Sequence, residues 1–280
     1  MCELLGLSSN QPATVSLSIG TLANHGSAAG SLRDGWGVAY CEGPDARLIK
    51  DAEPAGGSDW VRFIRDHALR SNIVIAHVRT ATMGDRAYRN TQPFVRELAG
   101  RMHLFAHNGW LPQIFAGRAF DSAQFNPVGD TDSEKAFCGL LEQMKSVWLR
   151  AGTIPPIEER LSIVAPFAMA LRSMGPANFL YSDGDTLFAH GHRRMQAATS
   201  KVEPPGLVYL QRVCPHAEHP ATVSGLSIRS PDQSVALVAS VPLNDEPWIP
   251  LGEGEVIAMR NGEIVARRLA HHAPTSGQVS

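Results

Sequence analysis

Apolar residues along this chain gather in short runs more often than in long helical stripes. Residues 73–78, 102–107, 177–182, 186–190, 207–212, 235–240 and 255–260 are each of strand length and rich in branched or aromatic side chains, which predicts strands. Asp183-Gly184 and Asn261-Gly262 each separate two such runs, the signature of a tight hairpin. The sheets are therefore expected to be antiparallel in good part, against a Rossmann-type parallel sheet. One clear helical stripe follows Thr131, where Ala136, Phe137, Leu140, Leu141, Met144, Val147 and Trp148 share a face and Thr131 with Glu134 fits a capping box. A second helix is predicted over 58–70 with Trp60, Phe63, Ile64 and Ala68 inward, and a third within 12–23. Residues 157–174 are also helical in pattern, with Pro166 expected to kink or divide them. Pro204-Pro205 and residues 214–223 read as loops. The run Leu104-Phe-Ala-His107 recurs as Leu187-Phe-Ala-His190, which reads as two similar core strands and not as a duplication. No linker divides the chain, so we expect one domain over 2–268 and a polar, disordered tail over 269–280.

Composition narrows the class. With 280 residues, 44% hydrophobic and 19% charged, the chain can bury a sizeable core, and a net charge of -2 without a basic stripe argues against nucleic acid or a membrane surface as partner. Apolar runs such as 73–76 and 235–239 are far short of a bilayer helix, and no signal peptide is read, so a cytoplasmic location is expected. The four cysteines, Cys2, Cys41, Cys138 and Cys214, lack any C-x-x-C pairing, so neither a disulfide framework nor a cysteine zinc site is suggested and no cofactor is expected.

The candidate chemistry begins at Cys2. If Met1 is removed, Cys2 carries a thiol and a free amine, a nucleophile and a base on one residue, whose ordinary pKa values of about 8.5 and about 8 allow proton exchange at neutral pH. Three further segments look costly unless they serve a site. Residues 76–84 place Arg79 directly after a buried strand, His107-Asn108-Gly109 ends another, and residues 129–134 open the best helix with two acids. If the first strand, starting at Glu3, runs antiparallel to the two strands, Cys2, Arg79 and Asn108 converge. Arg79 would clamp a carboxylate and Asp132 an ammonium, together the α-amino-acid end of a ligand. Asn108 and the Gly109 N–H could donate to an oxyanion formed when Cys2 attacks a carbonyl. Glutamine, or a γ-glutamyl amide, fits such a receptor. Plainer readings stand beside each: Arg79 as a surface ion pair, Asn108-Gly109 as a type I′ turn, Asp132 as a first-turn acid, and Trp36 as packing.

Taken in order, Cys2, Asp34-Gly-Trp-Gly37, Ala76-His-Val-Arg-Thr-Ala-Thr82, Asn90-Thr-Gln-Pro-Phe94, Ala106-His-Asn-Gly109 and Gly129-Asp-Thr-Asp-Ser-Glu134 resemble the class II glutamine amidotransferase domain, an N-terminal nucleophile hydrolase, and within it the stand-alone bacterial YafJ-type group. The run Pro242-Leu-Asn-Asp-Glu-Pro-Trp248 extends the similarity, which covers roughly residues 2 to 260. The resemblance implies an α+β fold, a four-layer α-β-β-α sandwich of two antiparallel sheets between helix layers. It implies Cys2 as nucleophile with its own amine as base, Asn108 and Gly109 as oxyanion hole, Arg79 and Thr82 as carboxylate clamp, Asp132 as amino anchor, and His77 lining the pocket. Thr80 departs from the tryptophan of the glucosamine-synthase branch, and Gln92 stands where relatives often have histidine. No segment after residue 260 reads as an ammonia-accepting synthase, so the acceptor is expected either in a separate partner or not at all, with a leaving group projecting past Gly35, Trp36 and Thr80.

Two other classes compete. A catalytically silent glutamine-sensing protein would keep the fold without turnover. A metal-binding protein could use His190 with His192, or His103 with His107, but the latter spacing has no helical meaning in a strand and no carboxylate motif accompanies either.

Overall fold

The computed structural model describes residues 2–14, 34–55, 58–67, 69–80, 83–214, 221–223, 226–228 and 233–269. Two antiparallel sheets carry the fold. The first contains β1 (Glu3–Thr14), β2 (Trp36–Glu42), β3 (Asp45–Asp51), β4 (Arg70–Val78), β11 (Val208–Cys214), β14 (Gln233–Ala239) and β15 (Ile249–Pro250) in the order β15-β11-β14-β1-β4-β2-β3. The short strands β12 (Ala221–Val223) and β13 (Leu226–Ile228) attach to it through β1. The second sheet contains β5 (Phe94–Leu98), β6 (Arg101–Gly109), β7 (Ala177–Ser182), β8 (Leu187–His190), β16 (Glu255–Arg260) and β17 (Glu263–Leu269) in the order β17-β16-β8-β7-β6-β5. A separate ribbon joins β9 (Arg194–Met195) to β10 (Val202–Glu203).

Alternation along the strands builds the layers. Leu4, Ile73, Ile75, Ala236 and Val238 from the first sheet meet Leu104, Ala106, Leu180, Leu187 and Ile257 from the second, forming a dry core between sheets. The other face of the second sheet is covered by α2 (Asp132–Ala151) and α3 (Ile157–Arg172), whose Phe137, Leu141, Phe167 and Leu171 pack on Phe105, Phe179 and Tyr181. The outer face of the first sheet carries a third core, to which α1 (Asp59–His67) contributes Ile64. Helix, sheet, sheet, helix is thus the layer order, the architecture expected from the resemblance. No helix among the described residues is long and apolar enough to cross a membrane.

The repeated Leu-Phe-Ala-His run has a structural explanation. Strands β6 and β8 flank β7, and the register puts Leu104 and Leu187 opposite Ser182, Phe105 and Phe188 opposite Tyr181, Ala106 and Ala189 opposite Leu180, and His107 and His190 opposite Phe179. Each level of the sheet faces the same layer on both sides of β7, so the same side chain solves the same packing problem twice. Both hairpins form as well: Gly184 has φ 81°, and Asn261 and Gly262 have φ 52° and 80°, the left-handed pair a type I′ turn requires.

Several expectations need correction. Trp60 and Phe63 were expected inward but are 53% and 38% exposed, because the nine-residue α1 turns only Ile64 fully inward. No helix begins at residue 12: β1 continues to Thr14, resuming its pairing on β4 after a bulge, and residues 15–33 lie outside the described set. Pro166 does not divide α3, which runs unbroken through it with Ala165, Phe167 and Ala168 buried. Residues 214 and 221–223 belong to β11 and β12 and not to a loop. At the C-terminus β17 ends at Leu269, and the tail residues 270–280 lie outside the described set.

Candidate active site

The start of β1 is placed by pairing. Glu3 lies opposite Val78 of β4, and Trp36 of β2 lies on the other side of the same Val78. Cys2 therefore sits beside the first residues past β4. Its Sγ donates to the Thr80 carbonyl at 3.3 Å and accepts from the Thr80 N–H at the same distance. The strand β6 approaches from the opposing sheet and not from within the same one. Its penultimate residue, Asn108, donates from Nδ2 to the Cys2 carbonyl at 2.7 Å. Asn108 is itself tied down, since its carbonyl accepts from Asn178 Nδ2 at 3.0 Å and Asn178 Oδ1 accepts from the His192 N–H at 2.8 Å.

Gly109 has a steric reason to be glycine. A Cβ there would stand 1.9 Å from the Pro176 carbonyl oxygen and 2.7 Å from His107 Nε2. The chain turns immediately after it, where the Pro176 carbonyl accepts from the Trp110 N–H at 3.1 Å. Asp132 opens α2 after the Thr131 cap, whose side chain accepts from the Glu134 N–H at 3.2 Å. Glu134 does not close the capping box; its carboxylate accepts from the Gly129 N–H and pairs with Arg96. Asp132 is buried, with Oδ2 accepting from the Leu111 N–H and Oδ1 from the Ser133 N–H, both at 2.8 Å. It thereby pins the segment that follows Gly109, a role beyond the first-turn acid.

Arg79 is buried, not a surface ion pair. Its terminal nitrogens donate to the carbonyls of Asp34, Met83, Gly84 and Asp85, between 2.9 and 3.4 Å, so the guanidinium holds residues 83–85 against Asp34. Thr82 itself lies outside the described residues. His77 is buried beside this loop, and burial, the Arg79 cation and His107 push its pKa down to about 3, so it is a neutral imidazole at any working pH. His107 is likewise pushed down by burial, against the pull of Asp132, and its Nδ1 lies 2.9 Å from Ser133 Oγ. Gln92, at the position noted for its departure, accepts from the His107 N–H at 2.6 Å and donates to the His107 carbonyl at 3.2 Å, clamping β6 just before Asn108.

Burial raises the thiol of Cys2 above its ordinary range, with the Thr80 N–H and the Arg79 cation opposing. Cys41 and Cys138 are pushed up by burial to about 12 and about 11. Cys2 opens onto a cavity. About 500 Å³ in volume, it is lined by Cys2, Asn108, Gly109, Trp110, Pro176, Arg193, Arg194, Met195 and Val202. Arg79, His77 and Asp132 do not line it. Gly35 and Trp36 are buried, and the Gly35 carbonyl accepts from the Arg79 N–H at 2.8 Å, while this cavity opens beside Trp110.

Sequence reasoning missed Asn178, the pair formed by Glu3 and Arg194 at 2.8 Å, and the cavity wall. Only the basic run His192-Arg-Arg194 past a strand end hinted at the last two. The histidines considered as metal ligands have partners at Nδ1 and not at every Nε2: His190 Nδ1 lies 3.0 Å from the Glu255 carbonyl, His103 Nδ1 lies 2.7 Å from the Tyr181 hydroxyl, and His192 Nδ1 accepts from the Ala177 N–H, while Nε2 of His103, His107 and His190 is buried without a hydrogen-bond partner. Among the described residues no group of three or more His, Cys, Asp or Glu side chains is arranged to hold a metal.

Comparison with known proteins agrees with the geometry. The family model for class II glutamine amidotransferases matches residues 1–278. A protein of Escherichia coli described as the putative glutamine amidotransferase YafJ is 34% identical over 257 residues, covering 91% of this chain and 96% of its own. The crystal structure of a predicted glutamine amidotransferase from Pseudomonas aeruginosa superposes with a TM-score of 0.67 at 32% identity, covering 95% of this chain and all of that one. The glutamine phosphoribosylpyrophosphate amidotransferase of Bacillus subtilis shares the fold alone, with a TM-score of 0.59 at 15% identity, this chain spanning half its length.

Proposed function

The chain belongs to the class II glutamine amidotransferase family, and from that premise we propose that it cleaves the γ-amide of glutamine or of a γ-glutamyl amide through a thioester on Cys2. The observation that carries this reading is the placement of Cys2: its Sγ is seated on the Thr80 backbone, its carbonyl is held by Asn108, and it heads a cavity large enough for a substrate. After removal of Met1, the Cys2 amine takes the thiol proton as Sγ attacks the γ-carbonyl carbon. The oxyanion is stabilised by Asn108, whose second amide hydrogen is not committed to the Cys2 carbonyl, and by the Gly109 N–H. The proton then passes to the leaving nitrogen, the C–N bond breaks, and water cleaves the thioester to release glutamate.

Arg79 and Thr82 are the proposed carboxylate clamp and Asp132 the amino anchor, with His77 as a neutral wall. In this arrangement Arg79 would exchange one or two of its loop carbonyls for the substrate carboxylate, so binding and ordering of residues 83–85 are coupled. The reaction takes place in the cytoplasm, and ammonia, when it is the product, goes to solvent or to a separate synthase. A silent glutamine sensor is the alternative that turnover excludes. The test is glutamine hydrolysis by protein whose N-terminal cysteine has been verified by mass. Turnover that vanishes in Cys2→Ser and in a preparation retaining Met1 supports the reading. Full activity with Met1 retained refutes the amine as base.

A further inference from the structure

We infer that the cavity beyond Cys2 is a leaving-group site, and that the amide cleaved here carries an apolar primary amine, arylalkyl or branched alkyl, in place of the ammonia of glutamine. The inference rests on Cys2 as the nucleophile. Its first ground is size. Ammonia needs about the space of one water molecule, about 30 Å³, whereas the cavity is about 500 Å³. Even with part of that volume given to the glutamyl chain, a site for ammonia alone would not be so roomy.

The second ground is what the wall is made of. Trp110, Pro176, Met195 and Val202 supply its apolar part, and Trp110, Met195 and Val202 remain 51%, 40% and 44% exposed. They reach the cavity from two independent directions. Trp110 follows directly on Asn108-Gly109 and is fixed by its N–H to the Pro176 carbonyl. On the other side Met195 and Val202 are opposite partners in the β9–β10 ribbon. An aromatic face and an adaptable thioether flanking a reactive thiol suit an apolar body.

The third ground is charge. No acid lines the cavity among the described residues, so it offers no partner for an ammonium. Its two cations are already engaged: Arg193 Nε donates to Glu253 at 2.6 Å, and Arg194 pairs with Glu3 and donates to the Ser240 carbonyl. An α-amino-acid end would be poorly matched there, whereas an uncharged substituent on the amide nitrogen would be well matched.

Sγ bonds to the γ-carbonyl carbon, the C–N bond breaks, the thiol proton reaches the amine nitrogen through the Cys2 amine, and water releases glutamate and restores the thiol.

The experiment compares kcat/KM of the full chain, with its N-terminal cysteine verified by mass, on glutamine, γ-glutamylglycine, γ-glutamylbenzylamide and γ-glutamylisobutylamide. These alkyl amines avoid the intrinsic advantage of an anilide. The benzylamide or isobutylamide is expected to exceed both glutamine and γ-glutamylglycine at least tenfold. Trp110→Ala and Val202→Asp, both at half-exposed positions, should each lower the benzylamide-to-glutamine ratio at least fivefold. A lead for glutamine or γ-glutamylglycine overturns the inference, as does an unchanged ratio in both variants. Hydrolysis of none of the four overturns it too. Labelling of Cys2 by an electrophilic glutamine analogue then tells whether the nucleophile falls with it: a labelled Cys2 leaves that reading standing, and an unlabelled one removes both.

Discussion

Arg194→Met should be the most destabilising single change near the site that leaves Cys2 itself intact. Arg194 and Glu3 form a pair at 2.8 Å with both side chains buried, and Glu3 is the residue next to the nucleophile. The same guanidinium donates to the Ser240 carbonyl, while Ser240 Oγ accepts from the Leu4 N–H and the Leu4 carbonyl accepts from the Ser240 N–H. The first residues of β1 are thus strapped to β9 and to the end of β14 by one side chain. Removing one member of a buried pair typically costs about 3–5 kcal/mol. That is a large part of the roughly 5–15 kcal/mol by which domains are stable. Replacing both members by apolar side chains is often close to neutral, so Glu3→Met combined with Arg194→Met should be more stable than Arg194→Met alone. Equilibrium urea unfolding of the two single variants and the double, at a common m-value, measures this. A loss under about 1 kcal/mol for Arg194→Met, or strict additivity of the singles, would refute the argument that the pair acts as a buried unit.

Other perturbations have distinct signatures. Asn108→Ala should lower kcat by about 10²-fold to 10³-fold with a smaller change in KM, because the oxyanion exists only along the reaction path; a change confined to KM in steady-state assays would make Asn108 a binding residue. Gly109→Ala forces a Cβ to within 1.9 Å of the Pro176 carbonyl, so the backbone must shift, with an expected stability loss of at least about 1–3 kcal/mol and a fall in turnover; wild-type melting and activity would disprove that close approach. His77, His103, His190 and His192 are held down by burial to about 3, 4, 3 and 4, below the ordinary value of 6.5. The unfolded chain binds their protons first, so the stability they contribute is present above about pH 6.5 and lost as pH falls toward 4. Urea midpoints should drop over that window and His77→Phe should flatten the drop, whereas a midpoint independent of pH would contradict it.

Much of the architecture was legible in the sequence because strand length, hairpin dipeptides and the cap at Thr131 are local signals. The errors fall where the signal was not local. Trp60 and Phe63 lie on the helical stripe that marked them as inward, yet the short α1 presents only Ile64 to the sheet. Pro12 and the residues around it looked like a helix start, although β1 is held as a strand by pairing with β4 on the far side of a bulge. The ordered motifs located Cys2, Asn108 and Gly109 together, as the geometry places them. What they could not reveal is how each side chain is occupied: Arg79 on four carbonyls, Asp132 on the Leu111 amide, and Asn178 behind Asn108. The cavity wall was illegible for a related reason. Trp110, Met195 and Val202 are separated by up to 92 positions, and no periodicity joins a strand end to a two-residue ribbon.

The most direct test of the central claim is intact-protein mass spectrometry after rapid acid quench of the mature protein turning over glutamine or a γ-glutamyl amide, with the adduct mapped by fragmentation. The account predicts a γ-glutamyl thioester on Cys2 that disappears when substrate is exhausted and is absent in Cys2→Ser. It would be contradicted by turnover of the same substrate in which no adduct on Cys2 can be trapped and Cys2→Ser remains active.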